Sequence, residues 1–518
     1  MAEIGNEIFD KVMDEANTLF GKLFEYNNKL LRLCNDKTYT PSFDEVYDFY
    51  LTSHAMTFIK NIYFNHFEGP GIFLNSRCIL EGLALKQAYK DGAIDEFNIE
   101  LLKKQDALIE YKQYKKFKDI MEHVTIPEEK EKKYKEAVKF YKETLVSYSN
   151  EEIDKIINSQ IPFLCNPKIN YQQLIEDHLG KETAEYYSKL SILIHPTSNK
   201  LNSIEFYKSI ILDTFNWIKN IYSSLPDGKI DLKQYAYLVI FSSKNAEEFR
   251  DSILDECTQI EQVQSDFIKN FGSNYVSDTF HMTSMLIQEM MLDVVFGFNE
   301  QVKCKWKVMI ELLASFYEVY LNQDDVDNSY RMLQYHEDVA MARALHQDTA
   351  VKENLDKAFE HYKKKYPNGI DYEQFKHKYV LTLGYTVDEQ GKVKNLTQLV
   401  NQLCNLFDDD KAIGLNPKDV LKMNYAESQM MSHANGYMWF ANTGAWGDAL
   451  SVFDCFNRVF SFICFCMSNI YKDGYEQTKL YKHKKTSNVL KQAGTFIRDN
   501  TKRVTELLMK KDGNLYKQ

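Results

Sequence analysis

Arginine is scarce in this 518-residue chain. Only eight of its 63 basic residues are arginine, so an arginine set inside an apolar segment says more than any one surface lysine. Nine prolines and 20 glycines are few for this length, which argues against a strand-and-turn fold and favours long helices. A positive balance is also missing. Seventy-four acidic residues against 63 basic ones leave a net charge of −11, so nothing draws the whole molecule to nucleic acid or to an anionic membrane, and any such contact needs a local patch. The nine cysteines form no CxxC pair and no Cys/His spacing of the zinc type; they read as reduced, buried thiols, with no metal and no cofactor expected. Long apolar runs are absent too, since the most hydrophobic window, Val459 to Met467, is too short for a bilayer and directly follows Asn457 and Arg458. The acidic, amphipathic opening MAEIGNEIFDKVMDEANTLF is unlike a secretory signal. A cytoplasmic protein is expected.

What is abundant is apolar and aromatic residue, 44% and 14% of the chain, enough for more than one packed interior. The stretch GPGIFLNSRCILEGLALKQAY, Gly69 to Tyr89, is apolar on nearly every face yet carries Arg77 and Glu81 one turn apart, which predicts a buried central helix holding an ion pair. CKWKVMIELLASFYEVY, from Cys304 to Tyr320, repeats the pattern with Lys307 and Glu311. Later in the chain, Tyr187 lies eight residues before His195 and Tyr425 eight residues before His433, and IKNIY at 218–222 is echoed by MSNIY at 467–471. The expected fold is all-α: a tandem duplication of one helical bundle, with extra charged helices and a basic C-terminal extension. Its boundaries are set at 1–228, 229–473 and 474–518, the first at the turn Pro226-Asp227-Gly228.

If each late helix packs on its central helix, Arg77, Glu81, Tyr187 and His195 converge, as do Lys307, Glu311, Tyr425 and His433. An acid, a base and a cation together can transfer protons or bind phosphate. Two other features bear on nucleic acid. Lysines and tyrosines interleave in the charged region 95–148, a pattern that suits either phosphate contact with base stacking or a salt-bridged solvated hairpin. The segment from Lys482 onward carries ten lysines and arginines against Asp499, Glu506 and Asp512, a local basic face suited to RNA or to an acidic partner surface. The aromatic insert GYMWFANTGAWGD offers Trp439 and Trp446 as anchors for a partner protein or as core residues of the second unit.

An Arg-x3-Glu central helix, a charged helix, and a later helix ending in Tyr-x7-His followed by small polar residues together resemble an uncharacterised bacterial all-α domain family, present twice, over roughly 45–225 and 275–473. More distantly the chain is similar to HEPN domains, helical modules of toxin, abortive-infection and antiphage proteins. That resemblance implies a cytoplasmic defence or conflict protein that binds RNA, with at most weak or activated metal-independent ribonuclease activity, His195 and His433 acting on the RNA. Active members of the family carry Arg-x4-6-His. This chain departs from that motif, placing Lys189 before His195 and Glu427 before His433, and its one literal match is Arg331 to His336 on the charged helix 325–345. The alternative is a non-enzymatic helical scaffold or sensor that receives a partner protein or small ligand in the groove between the units; oligomerisation is compatible with either.

Overall fold

The protein, seen in a computed structural model, is described over residues 2–36, 38–64, 69–94, 97–120, 125–158, 170–194, 204–228, 230–232, 234–235, 251, 254–263, 265, 275–321, 335, 338–339, 342–343, 347–381, 396–407, 417–432, 434, 437–440 and 446–509. Among the described residues there are 18 α-helices and no strand. The helices α1 (Ala2–Asn35), α2 (Phe43–Tyr63) and α3 (Pro70–Lys90) open the chain. The second and third start for local reasons. The capping box of Ser42 and Glu45 begins α2, with Glu45 N donating to Ser42 Oγ at 3.3 Å and Ser42 N to Glu45 Oε2 at 2.8 Å. Gly69 and Pro70 begin α3, where proline's missing N–H needs no partner.

Helices α4 (Phe97–Ile120), α5 (Glu128–Thr144) and α6 (Asn150–Asn158) build a small core of their own on Leu101, Leu108, Tyr141 and Ile156, and α4 also lies against the late helices Pro417–Met431 and Tyr437–Phe440. Of the two expectations for region 95–148, the salt-bridged hairpin is the one observed. Its lysines pair with neighbouring glutamates, as in Lys133–Glu129 and Lys135–Glu131 at 2.7 Å each, and Tyr111 stacks on Tyr134 with ring centroids 4.1 Å apart. Those cations and rings are already engaged with one another.

Next come α7 (Tyr171–Leu179), α8 (Lys181–Ile194) and α9 (Ile204–Tyr222), then α10 (Tyr275–Phe296) and α11 (Asn299–Leu321). Helices α12 (Asp348–Lys365) and α13 (Tyr372–Leu381) form a second satellite core with Tyr362 and Phe375. The chain continues through α14 (Leu396–Asn405), α15 (Pro417–Met431), the short α16 (Tyr437–Phe440), α17 (Trp446–Thr478) and α18 (Tyr481–Met509). Packing partners correspond across the chain: α3 lies against α2, α7, α8 and α9, while α11 lies against α10, α14, α15 and α17. One apolar core runs without a break from Val12 to Ile497, because α3 also packs on α10 and α11.

The C-terminal helices form a close antiparallel hairpin. Small residues permit the approach: Ser461 Oγ donates to the Gly494 carbonyl at 2.6 Å, and Ser468 and Ser487 each donate to the other's carbonyl at 2.7 and 2.8 Å. Where this hairpin meets the helical segment 254–263, Asn500 Nδ2 donates to the fully buried Glu256 at 2.6 Å. No described helix is long and apolar enough to cross a membrane.

Burial pushes the Glu256 carboxyl up to about 8, against the amides of Asn500 and Asn457, which favour the carboxylate. Its folded value lies above its unfolded one, so the folded state holds the proton more tightly. That stability is full below the unfolded carboxylate range and is lost as the pH climbs through about 8. Glu256→Gln keeps the shape and cannot ionise. Between about pH 5 and pH 8 the melting temperature of the native chain is expected to fall relative to that of Glu256→Gln, as read by thermal denaturation at constant ionic strength.

Candidate functional site

Helix α3 is apolar all round, so its polar side chains have to find partners inside the protein. Arg77 is 8% exposed and Glu81 is fully buried. Arg77 Nε donates to Glu81 Oε1 at 3.1 Å, and the Tyr187 hydroxyl of α8 donates to the same oxygen at 2.7 Å. Arg77 also lies over the Tyr187 ring, 5.6 Å from its centroid, with Nε 3.4 Å from the hydroxyl. Burial works against the Arg77 cation, but Tyr187 and Glu81 outweigh it and the guanidinium is held charged. Burial likewise pushes the Tyr187 hydroxyl above its usual range, which keeps it protonated and donating.

The second half reproduces part of this arrangement. Glu311 on α11 is 2% exposed and accepts from the Tyr425 hydroxyl of α15 at 3.0 Å. Lys307, matched to Arg77 by sequence, is half-buried and makes no ion pair with Glu311 among the described residues. The ion pairs of α11 lie on other lysines: Lys303 reaches Glu427 of α15 at 2.8 Å, and Lys305 reaches Asp293 of α10 at 2.5 Å. Thus Arg77, Glu81 and Tyr187 form one cluster, and Glu311 and Tyr425 form its smaller counterpart. His195, His433, Arg331 and His336 lie outside the described residues.

The segment after α15 departs from the expectation that each half folds back on itself. Ala434 N donates to Glu81 Oε2 at 3.1 Å, and the Ala434 carbonyl accepts from the Tyr171 hydroxyl of α7 at 2.6 Å. Ser432 and Ala434, on either side of position 433, therefore touch Cys78 and Glu81 of α3, while the preceding carbonyl, that of Met431, accepts from Cys304 of α11. Beyond them Trp439 is 5% exposed, meets Phe49 of α2 edge-on with centroids 5.6 Å apart, and its carbonyl accepts from the Cys34 thiol. Trp439 is an internal anchor, which corrects the expectation that it presents a surface to a partner. The Trp446 side chain is outside the described residues.

A second polar cluster went unread in the sequence. Lys60 of α2, Glu289 and Asp293 of α10, and Lys305 of α11 are all sealed, their side chains fully buried. Asp293 bonds both lysines, Lys60 also donates to the Glu289 carbonyl at 3.1 Å, and the Glu289 carboxylate lies 3.4 Å from Lys305. Room for that carboxylate comes from Gly71, where a Cβ would stand 1.6 Å from Glu289 Oε2. Burial pulls the Lys60 ammonium down to about 8 despite Asp293 beside it. Close by, His54 Nδ1 pairs with Asn75 Oδ1 at 2.9 Å, and burial drives the imidazole down to about 4, so it is neutral. The groove expected between the units is, along these central helices, a packed and ion-paired seam. One signal pointed to it: Glu289 and Asp293 sit one turn apart in an apolar helix, as Arg77 and Glu81 do.

Chemically, the Arg77 cluster is closed. Every oxygen of Glu81 has a donor, and no group of three or more metal-binding side chains occurs among the described residues. Removing Glu81 strands a buried guanidinium and a backbone N–H of the other half, whereas removing Glu311 strands a tyrosine hydroxyl. Glu81→Ala is expected to cost about 3–5 kcal/mol and Glu311→Ala about 1–3 kcal/mol, measured by urea denaturation; equal losses would show that neither the Arg77 pair nor the bond to Ala434 adds to stability.

Comparison of the chain with protein-family models, with curated proteins and with solved structures finds no match.

Proposed function

We propose that the protein is a cytoplasmic RNA-binding helical scaffold of the HEPN-like kind, a bacterial defence or conflict protein whose two bundles arose by tandem duplication and now form one body. The observation that carries this reading is where charge is exposed. Between 472 and 499 the described surface shows Lys472, Lys479, Lys482, Lys484, Lys485, Lys491 and Arg498 against Asp473, Glu476 and Asp499, on a chain whose net charge is −11. An anionic polymer finds a local field there that the rest of the molecule opposes. The correspondence of packing partners around α3 and α11, and of the Tyr187–Glu81 and Tyr425–Glu311 bonds, supports the duplication. The Arg77 cluster supports binding over catalysis in this reading, because its groups are engaged with one another out of reach of a phosphate.

The purified chain, mixed with labelled RNA in metal-free buffer, is expected to bind without cutting. Lys484→Glu with Lys491→Glu should weaken binding at least about tenfold and flatten its dependence on salt. His195→Ala, His433→Ala and His336→Ala are expected to leave affinity unchanged. Cleavage by the native chain that any of these three abolishes would replace a scaffold with a metal-independent ribonuclease.

A further inference from the structure

The corner between α17 and α18 has an unusual backbone and an unusual surface at the same place. Lys479 has φ 56, and it is the one non-glycine in the left-handed region among the described residues. An ion pair to Glu476 at 2.6 Å holds its side chain, and His483 N donates to the Leu480 carbonyl at 3.0 Å to start the next turn. Directly after this kink Leu480 is 48% and Tyr481 75% exposed, the latter the most exposed aromatic side chain described. Lys482, Lys484 and Lys485 follow at once. From there Lys484, Lys491 and Arg498 recur every seven residues, all exposed, in a row about 21 Å long. The base beneath is rigid, because Ser468 and Ser487 tie α17 to α18 two turns from the corner.

Resting on the RNA-binding reading above, we propose that the Leu480–Tyr481 corner is a stacking platform that makes the basic face of α18 select single-stranded over duplex nucleic acid. A tyrosine presented next to a row of cations offers a base its flat face while the row follows the phosphates. Duplex hides its base faces, so there Tyr481 meets only sugar and phosphate. Insertion into a membrane surface is opposed by the packing of the described side chains: Leu490, Ala493 and Ile497 of α18 are buried, and beyond the corner Phe496 is the one large apolar residue of α18 exposed among them.

The test uses the full chain with labelled oligouridine and with an RNA duplex of equal length, by fluorescence anisotropy. Tyr481→Ala is expected to weaken oligouridine binding by about 5- to 150-fold, the range of one base–aromatic stack, and to leave duplex binding unchanged, while Tyr481→Phe retains the single-strand affinity. Equal affinity of the native chain for both RNAs, or an equal loss for both in Tyr481→Ala, overturns the platform and leaves a plain electrostatic face. Polyglutamate competing as well as oligouridine overturns it as well. Failure of the native chain to bind any RNA is a different result, and removes the RNA-binding reading together with the platform. Thermal melting of Tyr481→Ala should match the native chain, since an exposed ring contributes little to the fold.

Discussion

The constraint that everything else answers to is charge placed where water cannot reach it. Four ionisable side chains, Lys60, Glu289, Asp293 and Lys305, sit fully buried where α2, α10 and α11 meet, and Gly71 of α3 closes over them. Each would be ruinous alone in a low-dielectric interior, where removing one partner of a buried pair typically costs several kcal/mol. Together they specify which helices meet and in what register, since sliding any helix by one turn would separate the oxygens from the ammonium groups. The apolar core supplies most of the driving force for this packing. The ions make it particular.

The Arg77–Glu81–Tyr187 cluster extends the same logic from helix packing to the chain's long-range connections. Glu81 has two carboxylate oxygens, and one is bonded within the first half while the other accepts from Ala434 in the second. Tyr171 and Trp439 strengthen the exchange, the first by donating to Ala434 and the second by packing on Phe49. Met431, Ser432, Ala434 and Trp439 are therefore divided between the two halves, the first held by α11 and the others by helices of the first half. What looks from the sequence like two self-contained bundles is one core with shared polar joints.

Much of this was legible in advance, and the reasons differ from residue to residue. Helix α3 announced itself because a segment apolar on every face has to be internal, and the tyrosines eight residues before His195 and His433 marked the side chains that bind Glu81 and Glu311. Lys60 did not, because its counter-ion is 233 positions away and a lysine in a sequence looks the same whether it is solvated or sealed. Lys307 was matched to Arg77 by spacing alone, but α11 puts its ion pairs on Lys303 and Lys305. In 95–148 the alternation of lysine and tyrosine suited two outcomes, and lysines there pair with glutamates one turn away, as in a salt-bridged hairpin. The aromatic insert misled in the other direction, since its partner lies in the opposite half of the chain.

The separation of Lys60 from Asp293 also sets a clock. At a synthesis rate of about 5–20 residues per second, a ribosome needs roughly ten to fifty seconds to deliver the carboxylate after the ammonium has emerged. For that interval the flank of α2 and α3 that meets α10 and α11 in the folded chain still lacks those covering helices.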